Sequence, residues 1–441
     1  MRVSNAGGGI SGGCIRAALA FVASCAIALG VVLNVFGATV SVSFGLVVLF
    51  LSFVAPNRLA WMASEMRLTA ALIAVTLVSV LVPTALKDFP RNRLSATVPI
   101  VVLALALDQL MRHRRRPHQL LIGTMVMVSA LVVGAVLIWE VRSIGLDVVQ
   151  LHLRAAAVIA GGHDPYSSAV SVPNGNPDPS ARELIVGYPY PPVIAAAFSL
   201  ATWLWGDPRW ASLLSWAVVA VCSLALLASK PIPQRSLLPF FLLMAFPGWG
   251  TILQSGWTEP LSTALVALAA ISWERPIVSG LALGAAIGSK QYFVVALPLI
   301  ALYRGNQWQR RAITALLVCS LTLLPAFAWN PASAWRSLVL FPFHLQGHPQ
   351  ADSANIVGML WRFDVHWTPG WIGAGVSLAV VSLLAPLGSG PGHFCRTLAA
   401  GLGALFMFAP EAQPNYWYIV AAIAALGSQV GSPRAYLSEV E

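Results

Sequence analysis

Residues 145–168, GLDVVQLHLRAAAVIAGGHDPYSS, form an island of polar side chains in a chain that is oily on both sides. Just before it, residues 120–139, LLIGTMVMVSALVVGAVLIW, contain no charged group at all. About 20 such residues span the hydrocarbon of a bilayer as one helix, so the run before the island reads as a membrane span. The 441 residues are 58% hydrophobic and 10% charged, where soluble domains carry about a quarter charged residues. Comparable apolar windows recur from Ala17 almost to the C-terminus, which a single signal peptide does not explain, and MRVSNAGGGISGG reads as a flexible tail before the first span.

The windows place spans at 17–36, 38–55, 68–86, 94–111 and 120–139, then at 191–206, 212–229, 237–253, 258–273, 278–303, 312–329, 366–386, 397–410 and 414–428. The fold class is therefore an all-α polytopic membrane protein with about 12–14 transmembrane helices. Net charge is +10, and Lys87, Lys230 and Lys290 are the only lysines among 26 basic residues. Without a basic surface interleaved with aromatics, that excess belongs to cytoplasmic loops and gives no sign of a nucleic-acid partner. Cys14, Cys25, Cys222, Cys319 and Cys395 are scattered and show no metal-ligand spacing.

Basic loops orient the chain. RHRRRPHQ (112–119) and RGNQWQRR (304–311) are placed in the cytoplasm. Two long extracytoplasmic loops follow, 140–190, with five acids against three arginines, and 330–363. KDFPRNR (87–93) is a basic loop on the outward side by the same count. The expected location is a bacterial plasma membrane, multi-pass, with both termini cytoplasmic.

Within the first loop, Leu146–Gly162 has the spacing of a short amphipathic helix along the membrane surface, with Asp147 at its N-cap or first turn. HDPYSS turns the chain, Asp164 capping that turn. VPNGNPDPSARE (172–183) is an irregular loop, and YPYPP (188–192) leads into the next span.

These elements resemble glycosyltransferase family 87, polytopic transferases of the C-type (GT-C) superfamily that use polyprenyl-phosphate sugars. The resemblance rests on Asp147 after a membrane helix, on GHDPY (162–166) and on YPYPP. GLALGAAIGSKQYFVVALPLIAL (280–302) and FAPEAQPNYWYIV (408–420) extend it, so that it covers roughly residues 120–428. Two departures stand out. Four extra spans precede the aspartate, and a Gly-Gln-Asn element has only the loose counterpart QSGWTEP (254–260). The resemblance implies three segments: residues 1–118, additional helices of unknown role; 119–430, a GT-C-like core; and 431–441, a cytoplasmic tail. It also implies transfer of a hexose, mannose, from a polyprenyl-phosphate donor to an envelope glycolipid or glycan among the membrane lipids; no cofactor is expected, and no metal, since no paired acids stand around Asp147.

The residues fit that chemistry. A phosphate is already a good leaving group, so one carboxylate suffices to take the acceptor's proton, whereas a glycoside hydrolase needs two. Asp147 is the candidate general base for an inverting displacement, or else a helix cap. The donor phosphate needs cations or other hydrogen-bond donors, for which His152, Arg154, Arg336, His344 and His348 are candidates, with His344 foremost because FPFH sets it at the bilayer interface. Tyr166, Tyr188 and Tyr190 are further substrate-binding candidates. A charge in mid-span is costly unless paired, so Lys290 either contacts the lipid phosphate or pairs with an acid such as Glu259. GAAIGSK is no nucleotide-binding loop, since Ser precedes Lys and no strand leads into it. The competing classes are a transporter or lipid flippase, which would concentrate polar groups on broken helices near the midplane, and a non-catalytic envelope-assembly partner.

Overall fold

The computed structural model describes residues 119–140, 147–168, 170–173, 183–229, 240, 243–244, 246, 249–305, 307–341, 355–362, 365, 370–409, 412 and 414–430. The spans expected at 17–36, 38–55, 68–86 and 94–111, the basic loops 87–93 and 112–118, His344, His348 and the tail 431–441 lie outside the described residues.

The first described helix, α1 (Gln119–Glu140), is 22 residues long, about 33 Å, and is long and apolar enough to cross a bilayer. One face leaves Leu121, Met125, Val128, Val132 and Val136 exposed, as a lipid-facing stripe does. The other face buries Val126, Ala130 and Leu137. After it come α2 (Asp147–Ala160), a two-stranded antiparallel ribbon of β1 (Val170–Pro173) and β2 (Glu183–Val186) pairing Val170 with Val186, α3 (Pro192–Trp205) and α4 (Arg209–Ala228). The ribbon is a finding within the loop expected to be irregular: its ends are strands, and residues 174–182 between them are outside the described set.

Arg209 shows how α1 and α4 are aligned. Its guanidinium donates to the Ile138 carbonyl at 2.9 Å and forms an ion pair with Asp207, so the end of α1 and the start of α4 share one face of the molecule, called here the upper end. Between the two helices Gly134 leaves no room for a side chain, because a Cβ there would lie 2.6 Å from Leu213 and 2.9 Å from Trp249.

Helix α3 corrects the expected span 191–206. Its contacts lie at the upper end: Phe198 stacks on His152 of α2 at 4.1 Å, Trp203 donates to the Ala156 carbonyl, and Ile194, Phe198 and Ala201 bury against Ala211, in the first turn of α4. The run is apolar because it is packed on one side and carries exposed Leu200, Trp203, Leu204 and Trp205 on the other, the aromatic composition of a membrane–water interface. It lies across the helix ends instead of crossing the bilayer.

A second correction concerns 278–303. Helix α5 (Trp249–Gln254) finishes at the upper end, where Ser212 of α4 donates to the Trp257 carbonyl, and α6 (Glu259–Ile271) runs from there to the lower end, where α7 (Pro276–Ile287) starts back up. After only 12 residues, about 18 Å, α7 stops at Gly288-Ser289-Lys290. A 3₁₀ turn (Gln291–Val295) and α8 (Ala296–Leu302) then return the chain to the lower end, where Tyr303 meets Trp273 with ring centroids 5.9 Å apart. One expected span is thus two half-length arms folded back on each other.

The arms are held by α9 (Trp308–Trp329), which is long enough to cross. Gly280, Gly284 and Gly288 recur every fourth residue on the face of α7 turned to α9, and Cβ atoms there would meet Arg311 O at 2.8 Å, Ala315 O at 2.4 Å and Thr322 Oγ1 at 2.2 Å. Small residues at this period let two backbones touch, the packing mode that works where lipid removes the hydrophobic drive. The opposite face of α9 exposes Ile313, Leu316, Leu317, Leu321 and Leu324. Beyond it lie α10 (Pro331–Trp335), a π turn (Arg336–Leu340), α11 (Ile356–Arg362), α12 (Gly370–Leu384), α13 (Pro391–Met407) and α14 (Pro414–Gln429). The last three pack in sequence, and α14, almost wholly buried from Trp417 to Leu426, is the central helix of the core.

Candidate active site

The break after α7 sets Lys290 at the upper end of a half-length arm, inset from the top of α9. Its ammonium pairs with Glu259 Oε1 at 2.9 Å, and the side chains are 7% and 0% exposed. The Tyr292 hydroxyl donates to the same oxygen at 3.3 Å. Tyr190 and Tyr292 present their rings to the ammonium at 4.6 and 5.7 Å, a cation–π arrangement strengthened by burial. Glu259 opens α6, where the unpaired backbone N–H groups also favour a carboxylate. Of the two alternatives left by the sequence for Lys290, pairing with Glu259 is the one present here.

Over this pair sits the first loop. Burial and the nearby Lys290 charge push His152 down to about 3, opposed in part by the Gly256 carbonyl, so it is a neutral ring at ordinary pH. That removes it from the cations expected around a phosphate. It stacks on Phe198, lies 5.3 Å from the Tyr190 ring, and its Nδ1 is hydrogen-bonded to the Tyr188 hydroxyl at 2.8 Å. Tyr188 and Tyr166 are held well above the usual phenol range by burial first and neighbouring groups second, which keeps both as neutral hydrogen-bonding groups. Tyr166 donates to the Tyr190 carbonyl at 3.2 Å, and the Tyr188 N–H donates to the Pro165 carbonyl at 3.1 Å. Asp164 accepts from the Tyr166 N–H at 2.9 Å, an Asx turn of the kind its residue type favours.

The second loop is tied to the first. Ser337, in the π turn, donates to the Tyr166 carbonyl at 3.2 Å. Gly187 makes this approach possible, since a Cβ there would lie 2.2 Å from Tyr166 O and 2.3 Å from Ser337 Oγ. Gln291 donates to the Pro189 carbonyl at 2.8 Å, tying the arm break to YPYPP. The structure therefore brings together His152, Tyr166, Tyr188, Tyr190 and Lys290 from the residues singled out by sequence. Arg154 and Arg336 are exposed, and Arg336 donates to Ala332 O of its own helix at 3.3 Å. Asp147 is the first residue of α2, in agreement with the surface helix read from the sequence.

Sequence reasoning missed Tyr292 and Gln291, although the polar GSKQY in an apolar run was their signal. Among the described residues no three His, Cys, Asp or Glu side chains gather as metal ligands. A cleft of about 570 Å³ lined by Tyr303, Arg304, Gln307 and Trp308 lies at the lower end, remote from this cluster.

A helical membrane bundle with a charged pair sealed among tyrosines below surface loops is an integral membrane protein built around a recessed polar site. The model of glycosyltransferase family 87 matches residues 188–427, more than half of the 441, and the chain belongs to that family. It is a membrane glycosyltransferase. The matched stretch begins at Tyr188, so it contains YPYPP, Glu259 and Lys290, while α1, α2 and Asp147 precede it. No curated protein and no solved structure matches the chain.

Proposed function

We propose that the protein transfers a hexose, mannose, from a polyprenyl-phosphate donor to an envelope glycolipid or glycan at the extracytoplasmic face of a bacterial plasma membrane. The observation that carries this reading is the recessed Lys290 among tyrosines, within the stretch matched to a glycosyltransferase family. A donor delivered through the bilayer meets a cation below its surface, and an ammonium is a good phosphate partner. In the transfer, the acceptor oxygen bonds to the anomeric carbon as the bond from that carbon to the phosphate oxygen breaks, inverting the configuration. The acceptor's proton passes to a carboxylate, and polyprenyl phosphate leaves as the anion.

Asp147 is the proposed base. It stands five residues before His152 on α2, an axial offset of about 7–8 Å from that ring. Arg154, Arg336, His344 and His348 are the proposed outer contacts of the donor and acceptor headgroups. The test is transfer by purified protein from polyprenyl-phosphate mannose to an envelope glycolipid extract. Asp147→Asn should lower turnover at least about 1,000-fold with the melting temperature unchanged, and full activity in that variant would exclude Asp147. The folded-back arms would also suit a transporter. Uptake into vesicles with no glycosidic product would decide for that class.

A further inference from the structure

The Glu259 carboxylate uses only one of its oxygens. Oε1 accepts from both Lys290 and Tyr292, while Oε2, on a side chain 0% exposed, has no hydrogen-bond partner. A buried carboxylate oxygen left without a donor is costly, because water that solvated it has been removed and nothing replaces it. Had Glu259 served only to neutralise Lys290, both oxygens facing the ammonium and the phenol would be the cheaper arrangement. Among the other buried polar atoms without partners, two acceptors lie near this pair: Thr258 Oγ1, next to Glu259, and Asn415 Oδ1, next to Tyr416, whose ring stands 5.6 Å from that of Tyr292. The hydroxyl, the amide oxygen and the carboxylate oxygen each can accept a hydrogen bond, and a sugar ring offers several O–H donors together with apolar C–H faces that suit tyrosine rings.

We propose that Glu259 is a substrate-orienting residue, whose Oε2 accepts a hydrogen bond from a ring hydroxyl of the sugar while its Oε1 keeps the Lys290 ammonium placed for the adjoining phosphate. This rests on the reading of a polyprenyl-phosphate sugar as donor, and adds the group that tells a sugar-bearing lipid from the bare phosphate. It gives the enzyme a way to release its product: once the sugar has left, polyprenyl phosphate keeps the contact with Lys290 and loses the one with Glu259. The Tyr190 ring, half-buried, covers the ammonium at 4.6 Å from the side of the first loop.

The experiment compares binding of polyprenyl phosphate with that of its mannosyl and glucosyl monoesters, to full-length protein in detergent. Wild-type protein should bind one sugar ester at least 10-fold more tightly than bare polyprenyl phosphate. Glu259→Gln should abolish that preference and leave the affinity for polyprenyl phosphate within about threefold of wild type or tighter, because a negative charge beside the phosphate site has gone. Since removing one partner of a buried ion pair destabilises the fold, Glu259→Asp serves as the second variant. It retains charge and draws the carboxylate back, and should show the same loss of preference at a near-native melting temperature. Equal weakening for all three lipids would reduce Glu259 to a structural counter-ion and overturn the proposal, as would an unaltered preference in both variants. If wild-type protein binds none of the lipids, the donor reading itself falls, and this proposal with it.

Discussion

His152 shows what a single side chain owes to its surroundings. An imidazole has an ordinary value of 6.5, and burial with a nearby ammonium brings this one to about 3. Between those values the unfolded chain binds a proton that the folded chain refuses, so stability is unaffected above the window and falls as pH is lowered through it. The loss is about 2 kcal/mol by pH 5. His152→Phe keeps the stacking on Phe198 and carries no proton, so its melting temperature should drop by several degrees less than that of wild type between pH 7 and pH 5. An equal drop in both proteins would show that the ring is hydrated and free to titrate. Sequence could name His152, Tyr188 and Lys290 separately, but it did not fix whether His152 carries a charge. A residue's charge depends first on how deeply the fold buries it and then on neighbours such as Lys290, 138 positions away in the chain.

At the scale of elements, the arm α7 is set by its glycines. A leucine at 284 would drive its Cβ toward the Ala315 carbonyl, 2.4 Å from the ideal position, and force α7 off α9. Overpacking of this kind costs about 1–3 kcal/mol or more, and here it would also displace Lys290. Gly284→Leu should therefore lower the melting temperature by several degrees and abolish transfer. Gly375→Leu on exposed α12, where a Cβ meets nothing within 4 Å, should be tolerated. Comparable melting curves for the two would remove the α7–α9 contact from the fold's essentials. The surface helix α2 was legible because amphipathic spacing and a leading aspartate are local signals. The fold-back at 288–290 was not, since a hydropathy window averages both arms into one apolar run and three polar or small residues barely alter it.

For the whole molecule, the two span corrections offset each other. Residues 191–206 do not cross and 278–303 turns back, so the chain still reaches 304–311 at the end opposite the tyrosine cluster. By the positive-inside rule we expect Arg304, Arg310 and Arg311 on the cytoplasmic side and α2 outside. In a cysteine-free background, Ser167→Cys, exposed beside the Asx turn, should react with an impermeant maleimide on intact cells. Gln309→Cys, exposed at the start of α9, should react only after permeabilisation. The reverse pattern would put the site in the cytoplasm and exclude an extracytoplasmic donor.

The sequence by itself determined that this is a polytopic helical membrane protein, that a surface helix opens at Asp147, and that Lys290 needed an acid partner with Glu259 a candidate. Those conclusions follow from composition, period and the cost of charge in hydrocarbon, all of which act locally. Among the described residues, tertiary structure decided how the apolar runs at 191–206 and 278–303 pack, where the chain doubles back, and that Tyr188, Tyr190, His152 and Tyr292 close around one ion pair. Apolar side chains look alike whether they face lipid, a neighbouring helix or the interface, and only packing against particular partners tells these apart.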